Sequence, residues 1–290
     1  MTVIVALVVK DAILLATDSQ MTEDCGIKHL DRKKITEVKF ANASVLIAEA
    51  GAADWSREAV ELLIERARGR TLTDYRAAAD LATEVVHEVN EHAWKKCGND
   101  QNWQVTRKMC LNENARFHLV IAHYFDNKPM IFVIDSPLEI ANKKNSALDY
   151  YTTAGNGSEL ASYLLGELAH PDMEFKNGVP LAIYVVEKAK QHINGCDGPC
   201  QVAFAYVESE ARAASLRKAG RPTMENRVGV LGVQQTAVIV QKLAPADHET
   251  KNLLRNTMSA AFRDAVDEHT ATIVEEMKRT GDPNTPSKMQ

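Results

Sequence analysis

The chain has 290 residues, with 34 basic and 39 acidic side chains, and its formal net charge is −5. A mildly acidic chain does not offer the basic surface that contacts with nucleic-acid phosphates require, so we expect no nucleic-acid partner. The apolar runs are shorter than the roughly 20 residues that span a bilayer, and no basic segment precedes the first of them. We therefore expect no membrane anchor and no signal peptide, and we expect the five cysteines to be free thiols in the cytoplasm.

The second residue, Thr2, is the first informative feature in chain order. Methionine aminopeptidases accept a small residue in second position, so removal of Met1 would leave a threonine at the N-terminus. An α-amine has a pKa of about 7.7 to 8.0, so it can accept the proton of the neighbouring hydroxyl at physiological pH. A single residue would then carry both a nucleophile and its general base.

Two apolar runs separated by Lys10-Asp11 predict a β-hairpin that starts beside Thr2. The hairpin returns the chain to its starting point, so it brings Asp18 and Ser19 close to Thr2. A basic cluster that ends in Lys34 precedes the next predicted strand. The carboxylate would orient the lysine, and the positive charge of the lysine would lower the cost of ionising the threonine hydroxyl.

The rest of the chain alternates between strand and helix patterns. Apolar residues at helical spacing predict helices over residues 53–68, 72–96, 158–169 and 180–192. Runs rich in β-branched and aromatic residues predict strands over residues 117–122, 130–134, 150–154, 202–207 and 228–241. This order is expected for two sheets packed between helical layers. No linker rich in Pro, Gly or Ser divides the chain, so we predict one catalytic domain over residues 1–244 and a C-terminal helical extension over residues 245–290.

Together these residues resemble the proteasome β-type N-terminal-nucleophile hydrolases. In that family a threonine opens the mature chain, an Asp-Ser pair ends the second strand, a lysine precedes a later strand, and an Ala-Gly segment opens the first long helix. Thr2, Asp18-Ser19, Lys34 and Ala50-Gly51 occur here in that order, and the spacings from Thr2 to Asp18 and Lys34 match without gaps. The resemblance implies an α+β fold, a four-layer αββα sandwich, and a threonine-type endopeptidase that needs no cofactor and no metal.

The resemblance also implies roles for further residues. The backbone N–H of Gly51 would donate to the oxyanion, and Ser19 would belong to the supporting shell and the substrate site. Thr22 matches the threonine with which the family binds substrate backbone. Glu49 falls where the family lines the base of its specificity pocket, and a carboxylate there would favour a basic side chain before the scissile bond.

Three departures from the family pattern bear on function. Asn156 stands where the family usually has a serine near the terminal amine, and an amide cannot relay a proton as a hydroxyl can. Asp197 is an approximate match to the acidic residue in the loop after the fourth helix. Residues 245–290 extend beyond a typical bacterial β-type subunit. These departures point to bacterial proteasome homologues such as Anbu and its beta-proteobacterial relative.

The implied function is hydrolysis of peptides or unfolded proteins through an acyl-enzyme inside a self-compartmentalised homo-oligomer. A stacked double ring is the favoured assembly, with an open helical arrangement as the alternative, and the sequence identifies no unfolding partner. Two other functions stay open: an amidohydrolase acting on a small amide, and a catalytically silent ring subunit that serves as a scaffold. Cys196 and Cys200 lack a second ligand pair, so a loop with two thiols is favoured over a zinc site.

Overall fold

A computed structural model describes residues 2–22, 28–97, 116–136, 142–145, 150–207 and 227–243. The predicted C-terminal extension therefore lies outside the described residues. The strands are β1 (Val3–Val9), β2 (Ala12–Thr17), β3 (Met21–Thr22), β4 (Lys28–His29), β5 (Ile35–Lys39), β6 (Ser44–Gly51), β7 (Phe117–Phe125), β8 (Lys128–Ser136), β9 (Asn142–Asn145), β10 (Tyr151–Gly155), β11 (Gln201–Tyr206) and β12 (Arg227–Leu231). The helices are α1 (Ala53–Ala67), α2 (Ala77–Cys97), α3 (Ser158–Leu168), α4 (Phe175–His192) and α5 (Val233–Leu243).

Two five-stranded antiparallel sheets form the centre of the molecule. The first sheet has the strand order β10-β1-β2-β11-β12, and the second has the order β5-β6-β7-β8-β9. Strand β1 lies inside the first sheet, because it pairs with β2 on one side and with β10 on the other. The N-terminal end of β1 is therefore surrounded by backbone from both neighbours.

The sheets pack face to face, and helices cover their outer faces. Helices α3, α4 and α5 pack on the first sheet, and α1 and α2 pack on the second. Strand β1 shows why its sequence is apolar throughout: Val3 and Val5 face the helices, whereas Ile4 and Ala6 face the second sheet. The αββα sandwich expected from the sequence is confirmed. No helix among the described residues combines the length and the apolar composition needed to cross a membrane.

The interpretation of residues 228–241 as β structure is wrong for most of that stretch. Strand β12 ends at Leu231, and helix α5 follows Gly232, whose carbonyl accepts the backbone N–H of Thr236 at 3.1 Å. The buried residues of α5 are Thr236, Ile239 and Leu243, which is helical spacing. The β-branched composition of the segment favours a strand, but packing of this face against the first sheet selects the helix.

Two helix boundaries also differ from the prediction. Helix α2 begins at Ala77 and not at residue 72, because the side-chain amide of Asn42 binds both the N–H and the carbonyl of Leu72, at 2.9 and 3.1 Å. Leu72 therefore belongs to the connection between α1 and α2. Helix α4 begins at Phe175, five residues before the predicted start, and Pro180 lies inside it.

Candidate active site

Thr2 directly precedes β1 and lies next to the turn between β10 and α3. It is 4% exposed, and its carbonyl accepts the backbone N–H of Gly157 at 3.3 Å. Gly155 has a φ of +84°, and a Cβ at that position would collide with the Thr2 carbonyl. Glycine is therefore required here both for its backbone conformation and for the close approach. The central position of β1 and this turn fix the backbone of Thr2.

The Lys34 ammonium joins Thr2 to Asp18. Its Nζ donates to Thr2 Oγ1 at 2.5 Å and to Asp18 Oδ2 at 3.1 Å. Lys34 is 5% exposed and Asp18 is fully buried. Lys34 is the last residue of the loop before β5, the edge strand of the second sheet, and its side chain reaches Thr2 in front of β1. The structure thus brings together the three residues that the sequence assigns to the nucleophile, its carboxylate and its cation.

Backbone donors hold the Asp18 carboxylate in place. Oδ1 accepts from Val3 N at 3.0 Å, and Oδ2 accepts from Gln20 N at 3.2 Å and from Asp197 N at 3.3 Å. The carboxylate therefore keeps three N–H partners in addition to Lys34. Such a set both compensates the burial of the charge and fixes the direction in which the carboxylate faces the lysine.

Burial lowers the pKa of Lys34 from its ordinary value, and the neighbouring Asp18 charge and hydrogen bond oppose this effect without cancelling it. A lysine with a lowered pKa at 2.5 Å from a hydroxyl can share a proton with that hydroxyl more readily than a solvated lysine. While protonated, it stabilises negative charge that develops on Thr2 Oγ1. The site is therefore suited to activate Thr2 as a nucleophile.

Ser19 and Asp197 belong to the loops that surround Asp18. Ser19 is buried, its Oγ donates to the carbonyl of Leu30, and its N–H donates to the carbonyl of Asp197 at 3.2 Å. The side chain of Asp197 is exposed and accepts the N–H of Gly198 at 2.7 Å. The backbone of Asp197, and not its carboxylate, is thus what contacts the buried acid.

Gly51 and Asn156 are exposed residues near Thr2. Gly51 is exposed at the end of β6 with a φ of +102°, and the preceding residue, Ala50, packs against Gly155 beside the Thr2 carbonyl. Asn156 is exposed in the turn that precedes α3. Both residues are therefore exposed and lie near Thr2.

Glu49 and Thr22 have less direct relations to the nucleophile. The alternation of β6 places Glu49 on the α1 side of the second sheet, near Ser56, Arg32 and Lys34, which favour its ionised form. Burial raises the pKa of Glu49, and its Oε2 has no hydrogen-bond partner among the described residues. Thr22 ends β3, opposite Lys28, and its side chain lies outside the described part of the structure.

Gln201 is a site residue that the sequence did not reveal. Its Oε1 accepts the backbone N–H of Lys34 at 2.9 Å, and its Nε2 donates to the carbonyl of Arg32. A glutamine at the start of a strand carries no pattern that would predict this contact across the two sheets. Cys196, also near Asp18 and Lys34, is a buried free thiol whose pKa burial raises to about 11.

His118 and His123 face opposite sides of β7, as expected from their odd separation. His118 contacts Asp135 at 2.7 Å, whereas His123 stacks on Phe132. Within the described ranges, no three His, Cys, Asp or Glu side chains are grouped so that they could hold a metal ion.

No protein-family model matches the chain, and no curated protein matches it. Several solved structures match the chain. A Gly-1 mutant of Anbu from Hyphomicrobium sp. strain MC1 is 16% identical with a TM-score of 0.57, and the match covers 92% of this chain and 97% of that one. Another structure of Anbu from the same strain is 14% identical with a TM-score of 0.57, covering 91% and 97%. Anbu from Yersinia bercovieri, described as an ancestral β-subunit, is 15% identical with a TM-score of 0.55, covering 70% and 81%. At such low identity the structural similarity shows the fold alone, and the chain has the fold of Anbu, the group to which the sequence motifs point.

Proposed function

We propose that the chain is an N-terminal threonine peptidase that hydrolyses peptide bonds through an acyl-enzyme. The observation that carries the proposal is the contact of Lys34 Nζ with Thr2 Oγ1 at 2.5 Å, with Asp18 at 3.1 Å on the same ammonium. A buried lysine held against the hydroxyl of the second residue has no role in packing that an apolar side chain would not serve better. It is the arrangement that an activated hydroxyl nucleophile needs.

The reaction begins with a free α-amine on Thr2. Met1 lies outside the described residues, so its removal is part of the proposal. The amine accepts the hydroxyl proton directly or through water, Thr2 Oγ1 attacks the peptide carbonyl, and the amine then protonates the leaving amino group. The resulting ester is hydrolysed by water, which the same amine activates. Lys34 stabilises the negative charge that develops on Oγ1 as it attacks and again as it leaves the ester, and Asp18 orients Lys34.

The remaining site residues have supporting roles in this mechanism. The N–H of Gly51 donates to the oxyanion of each tetrahedral intermediate, a contribution of roughly 3 to 4 kcal/mol in comparable acyl-transfer enzymes. Ser19 fixes the loop around Asp18, Thr22 binds substrate backbone, and Asn156 contacts the terminal amine or its water. An amide at this last position orients but does not relay a proton.

The substrate and assembly follow from the same proposal. Peptides and unfolded proteins are the substrates, and the subunits form a cytoplasmic homo-oligomer that encloses the sites, as a stacked double ring or an open helix. Light scattering at micromolar concentration should give a mass several times the 32.1 kDa of one chain. A monomer under these conditions would contradict the assembly.

Substitution of Thr2 is the direct test of the mechanism. Thr2→Ala should abolish turnover of fluorogenic peptides while the protein still folds, because the Lys34 ammonium keeps its contact with Asp18. Thr2→Ser should retain part of the activity, since the hydroxyl and the free amine remain. A peptide epoxyketone, which reacts with both groups, should form one adduct per wild-type chain by intact mass and none with Thr2→Ala. Peptidase activity in pure Thr2→Ala protein would refute the mechanism.

A catalytically silent scaffold subunit is the second candidate. Two observations favour it: the exposed amide of Asn156 replaces a hydroxyl, and the Asp197 carboxylate is directed to its own loop. Intact-mass analysis of the purified chain distinguishes the two. Retention of Met1 would block the α-amine and support the scaffold, whereas its loss would leave the proposed nucleophile free.

A further inference from the structure

The backbone of Lys34 is held from two sides. On one side its carbonyl accepts the N–H of Glu49 at 3.0 Å, which extends the pairing of β5 with β6 by one residue before the start of β5. On the other side the side-chain amide of Gln201 accepts the Lys34 N–H at 2.9 Å and donates to the carbonyl of Arg32. One amide group thus satisfies both a donor and an acceptor of the loop that carries the lysine.

Gln201 reaches this loop from the first sheet. It is the first residue of β11, and β11 pairs with β2 so that Gln201 lies opposite Thr17. Thr17 directly precedes Asp18, so one strand pair determines both where the carboxylate stands and where the Gln201 amide stands. The amide then transfers this placement to Lys34, which belongs to the second sheet. The distances from the Lys34 ammonium to Thr2 and Asp18 therefore depend on Gln201, whose amide binds the backbone of Lys34 and Arg32.

We propose that Gln201 is a positioning residue that holds the Lys34 backbone so that its ammonium meets Thr2 and Asp18. The proposal rests on the proposed function for its catalytic consequence. A lysine side chain has four rotatable bonds, so a loop held on one side alone leaves the ammonium several alternative positions. Because misplacement of a catalytic group by about 1 Å can cost roughly a hundredfold in rate, we expect loss of the clamp to lower turnover by about ten- to a hundredfold.

The chain offers a matched control for this clamp. The amide of Asn42 binds the N–H and the carbonyl of Leu72, at 2.9 and 3.1 Å, in the same two-bond arrangement. It joins the connection before β6 to the connection before α2, away from Thr2. Replacing either amide with an apolar side chain of similar size removes the same two hydrogen bonds, so the general cost in stability is similar for both.

The experiment compares Gln201→Met with Asn42→Leu in the full-length protein. In Gln201→Met we expect kcat for a fluorogenic peptide to fall about ten- to a hundredfold with KM within about twofold, because Gln201 acts on Lys34 and not on substrate. The rate of adduct formation with a peptide epoxyketone should fall by the same factor. In Asn42→Leu both rates should stay within about twofold of wild type. An equal loss in the two variants, or none in Gln201→Met, would overturn the proposal.

A second readout does not depend on peptidase activity. In an NMR titration with isotope-labelled lysine, the pKa of Lys34 should rise towards its ordinary value in Gln201→Met, since a displaced ammonium gains solvent, and should stay unchanged in Asn42→Leu. If the wild type neither turns over peptides nor forms the adduct, the proposed function fails, but this titration still decides the positioning role. An unchanged Lys34 pKa in Gln201→Met would then overturn it.

A milder pair serves if Gln201→Met does not fold. Gln201→Glu keeps the acceptor for the Lys34 N–H and loses the donor to Arg32, and Asn42→Asp makes the same change at the control clamp. Gln201→Glu should lower kcat by about three- to tenfold and Asn42→Asp by less than twofold, as expected for loss of one of two positioning bonds. Equal kcat values for the two variants would overturn the proposal.

Discussion

Replacing Asp18 with asparagine should destabilise the protein by about 3 to 5 kcal/mol near neutral pH. Asp18 is fully buried and Lys34 is 5% exposed, so the variant leaves an ammonium in the interior without its counter-ion. The asparagine NH₂ would also face donors where Oδ2 now accepts from Lys34, Gln20 and Asp197. Solvent screening is weak at this depth, so the full range measured for disrupted buried pairs applies.

Lys34→Met is the matched variant, because it removes the cation and keeps the carboxylate. Asp18 would retain its three backbone N–H donors, from Val3, Gln20 and Asp197. Methionine fills a similar volume with an apolar chain. We therefore expect the loss of unfolding free energy in Lys34→Met to be about 1 to 2 kcal/mol smaller than in Asp18→Asn. In the proposed mechanism both variants are inactive as peptidases.

The pH dependence of the two variants separates charge from packing. Asp18 is the main influence that raises the pKa of Lys34, so its neutralisation lowers that pKa further below the unfolded value of about 10.4. A lowered pKa in the folded state means that unfolding binds a proton, so stability rises with pH between the two pKa values. The difference in unfolding free energy between wild type and Asp18→Asn should therefore shrink as the pH rises towards 10. The difference between wild type and Lys34→Met should not shrink.

Urea unfolding at several pH values between about 7 and 10, at one protein concentration, measures these differences. Parallel curves for wild type and Asp18→Asn across this range would show that the loss is not electrostatic. A loss below about 1 kcal/mol at pH 7 would show that the buried pair is not formed.

Three further substitutions test other parts of the structure. Gly155→Ala should destabilise far more than Gly69→Ala in urea unfolding, because both glycines have a positive φ but only at Gly155 would a Cβ collide with the Thr2 carbonyl; equal losses would contradict the close approach. Burial lowers the pKa of His123, so its contribution to the free energy of unfolding should be complete above about pH 6.5 and be lost as the pH falls below that value. His123→Phe should therefore lose less stability between about pH 6.5 and lower pH than the wild type does. An equal loss in both proteins would assign the pH dependence to other groups. Glu49→Ala should reduce cleavage after Arg more than cleavage after Leu in a fluorogenic panel; equal reductions would remove Glu49 from the specificity pocket.

The N-terminal hairpin and the helical layers could be predicted because their signals are local. Strand β1 is buried on both faces, so its sequence is apolar at every position, and the residues after β2 return to Thr2 by simple geometry. The spacing from Thr2 to Asp18 and Lys34 then placed the candidate site. The hairpin follows from the period of burial and the reversal of the chain, whereas the choice of Lys34 follows from the resemblance to the proteasome β-type family.

Features that depend on distant parts of the chain could not be predicted. Gln201 contacts Lys34 from 167 residues away, and no local pattern distinguishes it from any other polar residue at a strand start. Helix α5 was mistaken for a strand because Val238, Ile239 and Val240 favour β structure, and only its packing on the first sheet selects a helix. The hydrogen bond from the Asp197 backbone to Asp18 could not be predicted either, because every residue type except proline has the same main-chain N–H.

The buried end of β1 sets an order of events in the life of the protein. Thr2 is 4% exposed, and its carbonyl accepts the N–H of Gly157, so the folded first sheet does not release Thr2 into the active site of an aminopeptidase. In the proposed mechanism, such an enzyme therefore removes Met1 before the chain folds. In the proposed mechanism, cells with little aminopeptidase would accumulate folded protein whose Thr2 amine is blocked and which is therefore inactive. An affinity tag left at the N-terminus would have the same effect, as would N-terminal acetylation, which removes the basicity of the amine.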